Sequence, residues 1–276
     1  MGFGSFADVD DNKVGEFFWS KTTTFTHGLN EWFDLSMSGG IPNANFYAST
    51  PLEAAHLSAA NKGSMRHWAG GADDDERLLS TMAMGGGSGP STYMLCDYLM
   101  YYPFIDCATG DDQFMENPVT LPERAADGVG VRMMLVSQSP TTSSSSGFYT
   151  TYKNQDGVEV EVTTTSSSAL TSAGAGHILS GRAPAPFIRL SSATDRVLSV
   201  EKFRWAGASG IGGIAALVLV KPIATFTHYE AAWTSERQFH PRFPAIHKDA
   251  FLGLLRTNAG NTNASTVLGS ITTIRS

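Results

Sequence analysis

A hairpin pattern between residues 148 and 163 constrains the fold more than any other part of the sequence. Two runs that favour strands, at residues 148–152 and 158–163, flank the turn sequence Asn-Gln-Asp-Gly at 154–157. The second run alternates strictly, with valines on one face and glutamates on the other: Val158, Val160, Val162, Glu159 and Glu161. A period of two is typical of a strand that buries one face, so this segment predicts a two-stranded antiparallel unit.

The chain after residue 119 has the same character. Charged residues make up only 16% of the whole chain, below the roughly 25% usual in soluble domains. Ser, Thr, Gly and Asn fill many of the remaining polar positions, and they suit strands and turns better than helices. Short apolar runs between turn signals predict further strands at residues 131–136, 187–190, 196–203, 216–220, 224–228 and 267–274.

Three helices are predicted in the N-terminal third. Thr50-Pro51-Leu52-Glu53 forms a capping box ahead of residues 54–61. The acidic run 73–76 precedes a second helix through 77–84, because acidic groups favour a helix N-terminus. A third helix at 92–102 ends at Pro103, and apolar residues on most of its sides predict that it is buried.

These elements together predict a mainly β fold, a β sandwich or jelly-roll-like structure with a helical insertion in the N-terminal third. We expect residues 1–276 to form a single structural unit. A soft boundary near 110–121 would divide a mixed helical and irregular part, 1–115, from a β-rich part, 116–276.

Charge and hydropathy exclude several classes of function. The formal net charge of −7 predicts a field that repels phosphate backbones and anionic lipids, which disfavours direct binding to nucleic acid. The longest apolar run, 211–220, is far shorter than the roughly 20 residues that span a bilayer, so no membrane role is expected. No secretory signal is visible, and Cys96 and Cys107 predict two buried thiols in a reducing compartment.

No motif in the sequence predicts catalysis. Residues 199–202 read Ser-Val-Glu-Lys, but the other motifs of serine acyl-transferases are absent. The glycine-rich segments 85–89 and 207–213 lack the context of a phosphate or dinucleotide site. The nearest pair of histidines, His240 and His247, is separated by two prolines. The sequence therefore predicts a protein that is not an enzyme, with no catalytic, cofactor-binding or metal-ligating residue.

One alternative stays open around residues 97–112. Four carboxylates could converge there for glycoside hydrolysis, with aromatic side chains nearby that suit a sugar cleft. The same cluster would equally form an aromatic core or a subunit interface. The residues concerned are Asp97, Asp106, Asp111 and Asp112, with Tyr98, Tyr101, Tyr102 and Phe104.

Several segments carry a resemblance to a known class of protein. Residues 93–106 read YMLCDYLMYYPFID, 117–124 read NPVTLPER and 127–136 read DGVGVRMMLV. Towards the end, 251–255 read FLGLL and 267–274 read VLGSITTI. The chain resembles uncharacterised virion structural proteins of short-tailed bacteriophages in these segments. The resemblance implies a role in the particle and transfers no site residues.

We therefore expect a virion structural protein of a tailed bacteriophage, most of all a capsid decoration or cement protein. It would act as a homo-oligomer whose partners are the major capsid protein or other virion proteins, assembled in the host cytoplasm and located in the virion. A tail or collar component, or a carbohydrate-binding or carbohydrate-hydrolysing module, is the alternative. Rigid β layers and apolar edges that neighbours cover suit the first role.

Overall fold

The computed structural model describes residues 13–23, 30–65, 76–84, 90–141, 147–164, 174–182, 184–206, 212–228, 236–239, 244–258 and 265–275. These residues form strands and two 3₁₀ turns, Leu35–Met37 and Glu123–Ala125. The strands are β1 Lys13–Thr22, β2 Glu31–Asp34, β3 Gly39–Ile41, β4 Ala55–His56, β5 Glu76–Met84, β6 Ser91–Asp106, β7 Gln113–Phe114, β8 Arg132–Ser137, β9 Phe148–Lys153, β10 Glu159–Thr164, β11 His177–Arg182, β12 Ser199–Trp205, β13 Ile214–His228, β14 Glu236–Phe239, β15 Ala245–Ile246, β16 Phe251–Asn258 and β17 Thr266–Arg275.

The strands are arranged in three antiparallel sheets. The largest has the order β13-β8-β11-β2-β16-β6-β4, and β13 also pairs with β6. That extra pairing closes the strands from β13 to β6 into a ring. A six-stranded sheet has the order β14-β5-β17-β1-β3 with β15 beside β5, and a four-stranded sheet has the order β10-β9-β12-β7.

Both faces of β8, one of the ring strands, are buried. Met134 and Val136 of β8 pack in a cluster with residues from all the other ring strands. Met133 and Leu135 pack in a different cluster, which also contains residues of the four-stranded sheet. Because side chains alternate across a strand, the first cluster fills the inside of the ring and the second lies outside it. Strands that are buried on both faces read as continuous apolar runs, as β8 does.

The two smaller sheets cover different parts of the outside of the ring. Trp19 and Ile271 of the six-stranded sheet pack with Tyr93 and Leu254 of the ring. The four-stranded sheet packs elsewhere: Phe148, Phe203 and Trp205 form close aromatic pairs in one cluster with Tyr102, Leu135 and Leu217 of the ring. Side chains from both sides of residues 110–121 therefore share one core cluster.

The predicted helical insertion is wrong. Residues 92–102 lie within β6, and residues 77–84 lie within β5. The apolar side chains around the predicted third helix belong to a strand that pairs with β13 and β16 and is buried on both faces. An unbroken apolar run cannot distinguish a buried helix from such a strand. In β5, pairing with β17 and β14 overrides the local preference for a helix at residues 77–84. Residues 73–75 of the acidic run lie outside the described residues.

The capping box at residues 50–53 forms only a turn. Glu53 N donates to Thr50 O at 3.2 Å, which closes a single turn of four residues. The backbone donors that an α-helix would pair four residues back bind distant carbonyls instead: Ala54 N donates to Glu116 and Leu57 N to Leu99, at 2.8 and 3.0 Å. These long-range hydrogen bonds satisfy the groups that a helix would have paired, so residues 54–61 do not form one.

The mainly β character of the chain is confirmed, and so is its local detail in several places. The hairpin appears as β9 and β10, with Glu159 and Glu161 exposed and Val162 buried as expected, although Val158 beside the turn is 54% exposed. Residues 131–136 and 267–274 correspond to β8 and β17. The two runs at 216–220 and 224–228 form one strand, β13. The strand expected at 187–190 is wrong, because these residues form no ladder.

Candidate interaction surface

The outward face of the six-stranded sheet is uncharged where β1, β3 and β17 meet. Register places Ser20 opposite both Leu268 and Ile41, and Thr22 opposite Thr266. Phe18 is 64% exposed, Ile41 61% and Leu268 36%. We call this surface the outer patch, and it consists of Phe18, Ser20, Thr22, Ile41, Thr266 and Leu268.

Strand alternation fixes which side chains form the outer patch. Trp19, Lys21, Val267 and Ile271 occupy the intervening positions and are buried. Gly269 allows the Trp19 ring to cross β17, because a Cβ at this position would overlap the indole. The inner face thus packs against the ring, and the side chains at the alternate positions point away from it.

The outward face of the four-stranded sheet differs in charge. Lys202 Nζ lies 3.2 Å from a carboxylate oxygen of Asp112 and 3.6 Å from one of Glu161. Arg204 Nε lies 3.1 Å from Asp112, and its guanidinium carbon lies 4.3 Å from the centre of the Tyr149 ring. Opposite charges neutralise each other here, as expected for a solvated face.

The four carboxylates of the sugar-cleft alternative do not come together. Asp97 and Asp106 lie nine residues apart on β6, which at about 3.3 Å per residue separates them by roughly 30 Å. Asp97 forms a buried ion pair with Arg124, and Asp106 accepts a hydrogen bond from Ala108 N in a local turn. Asp111 accepts from the Thr109 hydroxyl, again locally.

Three of the four aromatic residues of that segment, the tyrosines, lie in the core, and Phe104 is half-buried. Tyr98 and Tyr102 are fully buried, and their hydroxyls donate to Asp34 and Asn117. Their rings are therefore not available to stack on a sugar. Tyr101 packs against Tyr47, with ring centres 5.3 Å apart.

The Ser-x-x-Lys motif has no catalytic geometry. The Ser199 hydroxyl donates to Glu201, and the Lys202 ammonium group is held by the two carboxylates described above. The lysine is thus engaged by Asp112 and Glu161 and the serine by Glu201, and the two side chains of the motif do not bind each other.

The histidines and cysteines form no metal centre in the described ranges. Within them, no group of three or more His, Cys, Asp or Glu residues could hold a metal ion. His247 Nδ1 accepts a hydrogen bond from Asp249 N at 3.1 Å, while His240 lies outside the described residues. Cys96 and Cys107 are free and buried, as predicted, and burial raises the pKa of both thiols, that of Cys107 to about 12.

A buried polar cluster inside the ring was missed by the sequence analysis. The Asp34 carboxylate is fully buried and accepts hydrogen bonds from the Tyr47 and Tyr98 hydroxyls and from Ser36 N. Burial raises the pKa of the Asp34 carboxyl, and these hydrogen bonds oppose the shift. The sequence offers one signal, the tyrosines of β6, whose hydroxyls need hydrogen-bond partners when they are buried. It does not indicate that Asp34 is the partner.

Lys21 is a buried cation near this cluster. Its Nζ donates to the carbonyl oxygens of Ser38 and Pro42, at 3.2 and 2.7 Å. Burial lowers the pKa of Lys21 to about 8, and the Asp34 carboxylate opposes that shift. The strand period could have revealed this position, since Lys21 lies two residues after Trp19 and therefore on the same inward face.

Comparisons with known proteins add no relative. No family model, no curated protein and no solved structure matches the chain. In the part of the chain that the structure describes, no helix has the length and hydropathy that crossing a membrane requires.

Proposed function

We propose that the chain is a structural subunit of a tailed-bacteriophage virion that decorates or cements the capsid as a homo-oligomer. Its neighbours would be further copies of itself and the major capsid protein or another virion protein. The outer patch is the observation that carries this proposal. It is an open sheet face with exposed Phe18 and Ile41 and no charged member, and such a face suits burial in an assembly.

A second copy of the chain is the occupant that the charges favour. The formal net charge of −7 makes two copies repel each other through most of their surfaces. Contact through the outer patch adds no like-charged pair at its centre. A two-fold contact brings the same surface of both copies together, so an apolar, uncharged face can be its own partner.

The layered arrangement of the sheets supports a mechanical role. A closed ring of strands with two sheets packed on its outside leaves little freedom in the backbone, which suits a subunit that must keep its shape within a particle. We also propose that the fold is of the β-sandwich, jelly-roll type. The resemblance of residues 93–106 and 127–136 to virion structural proteins points to the same role.

The native mass of the purified protein tests self-assembly. Light scattering should report a discrete oligomer for the natural chain, and Phe18→Ser should weaken its association at least tenfold, because burial of a phenylalanine contributes about 1.5–3 kcal/mol. Phe114→Ser is the matched control: Phe114 is 67% exposed but lies on the charged sheet. A monomeric natural chain, or equal loss in both variants, would contradict assembly through the outer patch.

A location in the virion needs a separate test. Particles purified by density gradient should contain the chain in a fixed ratio to the major capsid protein. Immunogold labelling then distinguishes the head from the tail or collar. Absence from the particles, together with saturable binding to a glycan array, would replace the structural role with the carbohydrate-binding alternative.

A further inference from the structure

A charged strip separates the two core clusters on the outside of the ring. Along β6 and β13, the outward side chains belong to one apolar cluster at Tyr93 and Phe226 and to the other at Met100 and Leu219. Between them, Asp97 of β6 lies directly opposite Lys221 of β13. Neither small sheet covers this strip completely, and a cavity of about 400 Å³ opens there.

The carboxylate of Asp97 is already neutralised. Arg124 Nε and Nη2 donate to its two oxygens at 2.8 and 3.1 Å, and Phe251 N donates at 3.1 Å. The side chains of Asp97 and Arg124 are 9% and 6% exposed. A bidentate pair of this kind contributes no net charge to the cavity.

Lys221 supplies a positive charge that this pair does not cancel. Its side chain lines the same cavity, and it belongs to none of the ion pairs among the described residues. Arg124 forms its hydrogen bonds through Nε and Nη2, and none of the described residues accepts one from its Nη1 amino group. His247 also lines the cavity, and the Asp249 carboxylate 4.0 Å from its Nδ1 does not, so the excess of charge among the lining side chains is positive.

The remaining walls of the cavity are apolar. They are formed by Pro222, Ile223, Pro244, Ala245, Ile246 and Ala250. A volume of about 400 Å³ lies within the range of roughly 300–1,000 Å³ that small-molecule sites occupy. A cation among apolar lining residues matches a ligand with one anionic end and a short apolar body.

We propose that this cleft binds a small organic carboxylate. The carboxylate group would lie against Lys221 and the Nη1 amino group of Arg124, and its apolar body would contact the prolines and Ile246. Local attraction is needed, because the net charge of the whole chain repels anions. The site is distinct from the outer patch, so its occupancy does not depend on assembly.

A ¹⁹F NMR titration with 4-fluorobenzoate tests the site. We expect saturable binding by the natural protein and at least tenfold weaker binding by Lys221→Gln, with Lys221→Arg retaining most of the affinity. Lys62→Gln is the matched control, since Lys62 is an exposed lysine that lines a different cavity. Thermal unfolding of each variant shows whether it is folded.

Two further probes separate charge from apolar contact. The neutral analogue 4-fluorobenzamide should bind at least tenfold more weakly than the carboxylate. Inorganic phosphate that competes at equal concentration would show a site for anions in general and overturn the assignment to carboxylates. Absence of saturation by 4-fluorobenzoate, or equal affinity in Lys221→Gln, would overturn the proposal as a whole.

Discussion

The hydroxyl of Tyr98 donates a 2.8 Å hydrogen bond to the carboxylate of Asp34, although another strand separates the strands that carry them. The intervening strand, β16, places Gly253 beneath the tyrosine ring. A Cβ on Gly253 would overlap that ring. The glycine therefore lets Tyr98 cross β16 and reach the buried carboxylate.

Gly253→Ala should destabilise the protein by about 2–3 kcal/mol, because the added methyl group displaces the Tyr98 ring and strains the packing inside the ring of strands. Urea unfolding followed by tryptophan fluorescence measures this change. Gly39→Ala is the control, since a Cβ there meets no atom within 4 Å, and its effect should stay within about 0.5 kcal/mol. Equal stability of the two variants would show that the tyrosine can move at no cost.

Lys21 should make stability depend on pH. Its pKa is about 8 in the folded protein and about 10.5 in the unfolded chain, so the unfolded chain binds more protons between these values. Stability from this group therefore rises as pH increases through 8, by about 2 kcal/mol between pH 7 and 9.5.

The comparison with Lys21→Met isolates this contribution. The two cysteines titrate in the unfolded chain in the same pH range and lower stability equally in both proteins. The unfolding free energy of the natural chain minus that of Lys21→Met should therefore increase by about 2 kcal/mol from pH 7 to 9.5. Lys62→Met, which changes an exposed lysine, should show no such growth. A constant difference for Lys21→Met would mean that its ammonium group is not desolvated.

Local patterns predicted those parts of the fold whose partners are close in sequence. The β9–β10 hairpin needs only a turn and two alternating runs, and both are present within residues 148–164. β6 is different, because its partners β13 and β16 lie more than a hundred residues away. Nothing local indicates those pairings, and the apolar run of β6 is compatible with a buried helix.

The candidate surfaces show the same limit. Period-two alternation places Phe18 and Ser20 on one face of β1, but exposure of that face depends on how β1 pairs with β17. Asp97 looked like a carboxylate that could do chemistry, and only the position of Arg124, 27 residues later, makes it one half of a buried ion pair. Charge type is visible in a sequence, whereas charge pairing is a property of the fold.

Cys96 and Cys107 should not react with a thiol reagent in the native protein. Both side chains are fully buried, and burial raises the pKa of each thiol, so little thiolate forms at pH 8. Ellman's reagent should detect no fast-reacting thiol in the native protein and two per chain in guanidinium chloride. Rapid reaction of one thiol without denaturant would place that cysteine at an accessible surface.

Of the ion pairs among the described residues, that between Asp97 and Arg124 should be the most costly to break by substitution. Arg124→Met leaves the Asp97 carboxylate buried without its bidentate partner, and loss of one member of such a pair costs about 3–5 kcal/mol. Lys202→Met provides the control, because its ion pairs with Asp112 and Glu161 lie on an exposed face and should contribute less than about 1 kcal/mol. Chemical denaturation at pH 7 measures both variants. The double variant Arg124→Met with Asp97→Asn should recover part of the loss, because it removes the buried charge. A double variant less stable than Arg124→Met would show that Asp97 does not carry that charge in the folded protein.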